Sequence, residues 1–402
     1  MGLITGMLIG IGLGWFSGVT PGIHSNTIAA LLVSVYGTLL IYCGPEFVAA
    51  ALIATLITHC FLDIIPAAFI GIPDADTAYA VLPAHAMTRA GHGEEAVRIS
   101  ALGSLWGVIF AVPIAFAGLY FLPALQPLLE YWVGVILVLI MGLIIVLSNS
   151  PLYASLIFFG SGFLGLFAFE FAPLAQGFFP GAGSVLMPLL TGLFGIVVLL
   201  ETGNAKIPKQ KFSDIEQTNT EIITSAIPGS VAGLLIGWLP GLSNATANAL
   251  LLYVPKKKRG YKEYIISTSA ANTANAIIGI AAFFAITRMR NGVMVSLSTL
   301  EEAIPSFSSL MLVGVMSAGG AFLLTILTAK SARFLNHIPA QLLSQTVCIG
   351  MIALTYVLTD WFGLWILMLS ILIGLLPGIF GVERMFCMGA ISLPVILFAF
   401  GF

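Results

Sequence analysis

The sequence predicts an all-α polytopic membrane protein made of two inverted-topology repeats, each a helical hairpin broken at Pro-Gly followed by about five transmembrane helices. Three observations predict it. First, only 8% of the 402 residues are charged and 59% are hydrophobic, whereas a soluble domain carries about a quarter charged residues. A bilayer supplies the apolar solvent that such a surface needs, and about 20 apolar residues suffice to cross it as a helix. Second, apolar runs of that length recur along the chain. Third, a glycine and Pro-Gly pattern near the N-terminus returns in the second half.

The elements follow in order. An apolar stretch over 3–42 is interrupted by Pro21-Gly22, and spans are expected near 46–70, 99–122, 131–148, 151–172 and 183–202. The polar run 203–221, with Lys206, Lys209, Lys211, Asp214, Glu216 and Glu221, reads as a cytoplasmic linker between a first repeat, 1–202, and a second, 222–402. A second broken stretch over 220–255, centred on Pro240-Gly241, precedes spans near 264–286, 306–328, 340–358, 361–380 and 384–401. Gly374-Leu-Leu-Pro377-Gly378 reads as a helix end. No cleavable signal peptide is expected, because the first residues lack a basic region. Cys43, Cys60, Cys348 and Cys387 are scattered through apolar runs and read as buried free thiols. A net charge of −2 gives no basis for nucleic-acid binding.

Topology follows by counting. With the lysines of 203–221 in the cytoplasm, Lys256–Arg259, Lys330 with Arg333, and Arg89 with Arg98 all fall on that side, while Arg288 and Arg290 fall outside. Five spans per half is an odd number, so the second half starts with opposite polarity. The repeat is also written in the residues. Gly10, Gly14, Gly18, Pro21, Gly22, Thr27, Ala30 and Leu31 match Gly229, Gly233, Gly237, Pro240, Gly241, Thr246, Ala249 and Leu250 at one offset. Residues 75–80 parallel 271–276, and Thr88-Arg89 with Gly93 parallels Thr287-Arg288 with Gly292. On this reading the external Arg288 is the inverted counterpart of Arg89.

Two motif pairs carry the candidate chemistry. In Gly18-Val-Thr-Pro21-Gly22-Ile-His24-Ser25-Asn26-Thr27 and Gly237-Trp-Leu-Pro240-Gly241-Leu-Ser243-Asn244, proline ends one helix and polar side chains start the next. Broken at membrane depth, such a helix start aims free N–H groups and its positive dipole end inward, which suits an anion; a plain turn at the membrane surface is the competing reading. Pro21, Gly22, Ser25, Asn26, Pro240, Gly241, Ser243 and Asn244 are therefore the candidate substrate contacts, with Arg89 and Arg288 as a guanidinium clamp or as topology-setting charges. The GxxxGxxxG runs before each break read as helix-packing surfaces.

The second pair is Gly71-Ile72-Pro73-Asp74-Ala75-Asp76-Thr77 with Asn272-Thr273-Ala274-Asn275. Polar groups inside apolar runs are expensive and mark function by default, so Asp74, Asp76, Thr77, Asn272, Thr273, Asn275 and Asp63 are candidates for ion coupling; a solvated loop is the alternative for 71–77. His59 and Asp63 share a helix face at i, i+4, as a structural pair or a proton relay.

These residues resemble the large membrane subunit of tripartite tricarboxylate transporters, in particular its shorter archaeal-type relatives. The likeness rests on Gly18-x-x-Pro21-Gly22, on Gly71-Ile72-Pro73, on Arg89-Ala90-Gly91-x-Gly93 through Ala96 to Gly103, on Met187-Pro188-Leu-Leu-Thr-Gly192-Leu-Phe-Gly195, and on Gly241 with Asn244. The chain departs from the pattern in carrying Asp74 and Asp76 where the family has small and hydroxyl residues. The resemblance implies an inverted-repeat secondary transporter for carboxylates in the cell membrane, driven by a cation gradient and partnered by a small membrane subunit and a solute-binding protein. Taken together, the expected function is cation-coupled transport of a small organic anion by alternating access, with no cofactor beyond Na+ or H+ as coupling ion. A polyprenyl-phosphate (lipid phosphate) translocase would use the same helix ends and arginines. An intramembrane enzyme would need His59, Asp63 and His85, which complete no catalytic constellation.

Overall fold

The computed structural model describes residues 2–20, 23–70, 81–178, 185–201, 209–238, 251, 260–289, 291–300, 304–331 and 340–402. No strand occurs among them. Among the described residues, seven helices are long and apolar enough to cross a membrane, and a bent helix pair makes an eighth candidate. The protein is a multi-pass membrane protein.

The first helices are α1 (Gly2–Val19), α2 (Ser25–Ser34), α3 (Tyr36–Cys43), α4 (Pro45–Leu62), α5 (Ile64–Ile70), α6 (Val81–Arg89) and α7 (Gly93–Val146). Then come α8 (Pro151–Glu170) and α9 (Leu186–Leu190), which passes through a π-helical turn, Thr191–Ile196, into α10 (Val197–Glu201). The second half holds α11 (Asn219–Ile236), α12 (Tyr261–Ile286), α13 (Gly292–Ser298), α14 (Phe307–Ser331), α15 (Ala340–Phe380) and α16 (Gly389–Ala399). The expected span positions agree with these helices. Helix α7 contains two of them, as the apolar stretches Gly93–Leu128 and Tyr131–Val146. Helix α15 contains two more, separated at Asp360, whose φ of 52° and ψ of −157° interrupt the helix.

Two local expectations change. Pro377 does not end a helix: α15 runs through it to Phe380, and the turn comes at Gly381 with φ 65°. The arm after the first break is not one straight helix, because α2 and α3 meet at 73°.

The chain forms two compact units, and the expected halves 1–202 and 222–402 each contribute to both. The first unit takes Met1–Pro123, Asn204–Trp238 and Asn244–Leu343; the second takes Ala124–Gly203 and Ser344–Phe402, with a short piece near 240. In the second unit α8 lies on α16, with Gly165 against the Ala390 carbonyl and Gly162 against Leu393. The π-helical turn packs on α15, where Gly192 meets Leu367 and Ser370, and Gly374 meets the Gly192 and Leu193 carbonyls. Phe178 N–H donates to the Val357 carbonyl (2.9 Å), which the break at Asp360 helps leave available.

The first unit is built on two glycine-mediated helix pairs. On α1, Gly10 abuts Ala51, Gly14 abuts Thr55 and Thr58, and Gly18 abuts His59 and Leu62 of α4. On α11, Gly229 abuts Ser267, Gly233 abuts Ala271, and Gly237 abuts Asn275 and Ile278 of α12. In both pairs a Cβ at these glycines would strike backbone carbonyls or side chains of the partner, so only glycine permits the approach. Contact positions rise together along both chains, so each pair is parallel. Between the pairs the order reverses: Asp63 meets Asn272, while Ile53 and Ile277 with Ile280 converge on Gly314. Helices α4 and α12 are therefore antiparallel.

This packing also places the two helix pairs in a common register. Residues 271–276 sit on α12 where 55–60 sit on α4, and residues 75–80, the expected counterpart of 271–276, lie outside the described residues. The faces that the glycines contact fix that register.

Candidate functional site

The interior of the first unit holds a polar centre contributed by α1, α2, α4 and α12. Helix α1 brings Ser17, which is 1% exposed, and α4 brings His59 and Asp63, 2% and 4% exposed. Ser17 Oγ lies 3.0 Å from His59 Nδ1 and 3.2 Å from the Gly14 carbonyl, to which it can donate. Asp63 is the C-cap of α4, and its Oδ2 accepts a 2.7 Å hydrogen bond from Asn272 Nδ2. Asn272, 4% exposed, also reaches the Cys60 carbonyl at 3.4 Å. A carboxylate this far from water needs donors aimed at it, and α12 supplies one from the other half of the chain.

The start of α2 closes the centre. His24 is its N-cap: Nδ1 accepts from the Asn26 backbone N–H (3.1 Å) and lies 3.2 Å from the Ser25 hydroxyl. The His24 ring packs against the His59 ring, with centroids 4.8 Å apart and a 56° tilt. The Asn26 side chain lies under the first residue of α13, where a Cβ on Gly292 would touch it. Its Oδ1 is buried and accepts no hydrogen bond.

The structure thus brings together Ser25, Asn26, Asp63 and Asn272 from the sequence-derived candidates. It turns Thr273 elsewhere: that hydroxyl donates to the Ser104 carbonyl of α7 (2.8 Å) and fastens two helices. Asn275 is half-buried beside Gly237. The two arginines are not a joint clamp. Arg89 is exposed at the end of α6, two residues from Gly91, whose carbonyl accepts from Lys211 N–H (2.7 Å). Arg288 follows the far end of α12, a 26-residue helix about 39 Å long. Pro21, Gly22, Asp74, Asp76, Thr77, Pro240, Gly241, Ser243 and Asn244 lie outside the described residues. Sequence reasoning did not assign roles to Ser17 and His24. A polar side chain before Ser-Asn at a helix start was the available signal for the His24 cap.

A second polar group sits at the start of α12. Lys262 Nζ is 2.5 Å from Glu95 Oε1 and 3.0 Å from Glu216 Oε2. Ser213 Oγ donates to Glu95 Oε2 (2.6 Å), and Arg98 donates to the Ser213 carbonyl (3.0 Å) while stacking over Phe212. Gln210 donates to the Thr88 carbonyl and accepts from Gly93 N–H. The stretch expected as a linker is therefore seated against the chain from Gln210 to Glu216.

Among the described residues no group of three or more His, Cys, Asp or Glu could hold a metal ion. The model of the tripartite tricarboxylate transporter TctA family matches residues 4–389. An uncharacterized protein of Methanocaldococcus jannaschii is 29% identical over 345 residues, covering 84% of this chain and 83% of that protein. No solved structure matches. With a match that runs through both polar pairs and nearly end to end, the chain belongs to the tripartite tricarboxylate transporter TctA family, a family of membrane transporter subunits.

Proposed function

We propose that the chain is the large membrane subunit of a secondary active carrier for a small organic anion, a carboxylate, driven by a cation gradient through alternating access. One observation carries the site: the buried Asp63 of the first half is hydrogen-bonded at 2.7 Å to the buried Asn272 of the second. A carboxylate at membrane depth costs several kcal/mol unless it serves a pathway or a pair. Asp63 with Asn272 anchors the coupling-ion site, and Ser25 and Asn26 at the start of α2 contact the substrate. Pro21, Gly22, Pro240, Gly241, Ser243 and Asn244 complete the substrate contacts in this reading, and Asp74, Asp76 and Thr77 the ion path. The parallel pairs α1–α4 and α11–α12, with α4 antiparallel to α12, support two repeats of inverted polarity. Family membership supports a small membrane subunit and a solute-binding protein as partners.

The test is uptake of radiolabelled citrate into proteoliposomes under an imposed Na+ or pH gradient. Asp63→Asn should cut the initial rate at least about tenfold while leaving the detergent-solubilised elution profile intact. Wild-type rates in that variant refute the site. Translocation of a fluorescent polyprenyl phosphate, with no citrate uptake under either gradient, replaces the carrier with a lipid-phosphate translocase.

A further inference from the structure

We propose that the coupling ion is a proton and that His59 carries it, with His24 as its permanently neutral neighbour. This rests on the carrier reading above. The two imidazoles touch, with centroids 4.8 Å apart, so in a poorly solvated interior both cannot be charged at once. Their surroundings decide which one takes the proton.

His24 is held neutral by its bonds. A backbone N–H can only donate, so the 3.1 Å contact from Asn26 N–H makes His24 Nδ1 an acceptor. The Ser25 hydroxyl, 3.2 Å away, then donates to the same nitrogen. The ring proton sits on Nε2. Protonating Nδ1 would break the cap and place a cation at the positive end of the ten-residue α2.

His59 has the opposite setting. It lies in the last turn of α4, and Asp63, one turn on, sets a carboxylate on the same helix face, which favours a cation there. Its Nδ1 partner is a hydroxyl, which serves either state. Ser17 donates to Nδ1 of the neutral ring, or accepts from Nδ1–H of the charged ring while its own proton turns to the Gly14 carbonyl, 3.2 Å away. The hydrogen-bond inventory balances in both arrangements, so a proton can arrive and leave without orphaning a group.

Among the described residues, few other charges surround it. On α4 itself there are Glu46, Cys60 and Asp63; α1, α5 and α13 contain no titratable residue, and α2 brings only its cap His24. Helix α3 brings Tyr36, Tyr42 and Cys43, α12 brings Lys262 and Glu263 between two tyrosines in its first turn, and α14 brings Lys330 in its last turn. Glu46 is about 20 Å down the helix from His59. Asp63 and His24 are the neighbours that matter. Charging His59 places a positive charge beside the start of α2, where the carboxylate is proposed to bind. Each ligand then favours the other, which is the thermodynamic content of symport.

The experiment uses the full chain in proteoliposomes with radiolabelled citrate, an inward pH gradient of about one unit, and a matched Na+ gradient. One coupled proton supports about tenfold accumulation per pH unit. We expect the pH gradient to drive accumulation in the wild type, and His59→Gln to lose accumulation while downhill entry persists. Ser17→Ala, which keeps both rings, should stay coupled with a displaced pH profile, and it decides the matter if His59→Gln does not fold. Accumulation driven by Na+ and indifferent to pH overturns the proton assignment and leaves the carrier reading standing. pH-driven accumulation that survives in His59→Gln, or an unmoved pH profile in Ser17→Ala, keeps the proton but overturns His59 as its carrier. No citrate movement under either gradient removes the carrier reading and this inference with it.

Discussion

Helix pairs α1–α4 and α11–α12 solve the same packing problem with the same spacing of glycines, and then differ in chemistry. Gly18 rests on His59 in the first pair, and Gly237 rests on Asn275 at the matching place in the second. One station is ionisable and 2% exposed; the other is a neutral amide, half-buried. The first turns differ too. Glu46 of α4 is exposed, whereas Lys262 of α12 is tied to Glu95 and Glu216. Duplication of a backbone arrangement need not duplicate function. Close helix contact constrains the glycines and the carbonyls they touch, and leaves the side chains that point past the contact free to specialise.

The strongest way to break this comparison is to part the pairs. Gly229→Leu drives a side chain into the Ser267 backbone and should destabilise the protein by about 3 kcal/mol or more, and Gly10→Leu should do so by a similar amount against Ala51. Gly12→Leu meets nothing within 4 Å and should be close to neutral. Thermal unfolding in detergent, followed by size-exclusion recovery, ranks the three. Equal losses at Gly10 and Gly12 would show that the α1–α4 contact is not what holds the pair.

Removing a polar tie comes next. Lys262→Ala leaves Glu95, 3% exposed, without its cation and should cost about 2 kcal/mol, the partial exposure of the lysine discounting the full penalty of a buried pair. Asn272→Ala takes the 2.7 Å donor from Asp63 and should cost about 1–2 kcal/mol, read by the same unfolding assay. If either variant melts with the wild type, water has replaced the lost partner.

A combined exchange sharpens the contrast between stations. His59→Asn with Asn275→His moves the imidazole to the corresponding place on α12, away from His24 and Asp63. Accumulation against a pH gradient of one unit should stay near unity instead of about tenfold. Recovery in the exchanged protein would mean that the station, not its neighbours, defines the coupling residue. The smallest effect belongs to Glu216→Ala, the exposed arm of the Lys262 pair, at under about 0.5 kcal/mol.

Much of the fold was legible because its drivers are local. Apolar runs of span length gave the helices, and recurring glycines gave the pairs, whose contacts the structure then located at Ala51, Thr55, Ser267 and Ala271. The bend between α2 and α3 was not legible: Val35, at the junction, has φ −105° and ψ 12°, and no proline marks it. Pro377 misled in the other direction, since neighbouring backbone in a membrane helix can absorb a missing N–H. At the site, sequence could nominate Asp63 and Asn272 one by one, as polar residues in apolar runs. It could not join them, because their contact spans 209 residues and depends on the register of α12 against α4. Thr273 parts from Asn272 for a rotational reason: one step along the helix turns its hydroxyl to the Ser104 carbonyl of α7.

The seating of Gln210, Ser213 and Glu216 bears on where the polypeptide can be opened. A hydrophilic run midway along a hydrophobic chain is where an engineer would splice a fluorescent reporter or a protease site. Here that run is strapped to Thr88, Glu95 and Lys262. An insertion at 212–213 would unseat Arg98 from Phe212 and strip Glu95 of a donor, so a tag placed there would disturb the very halves it was meant to join.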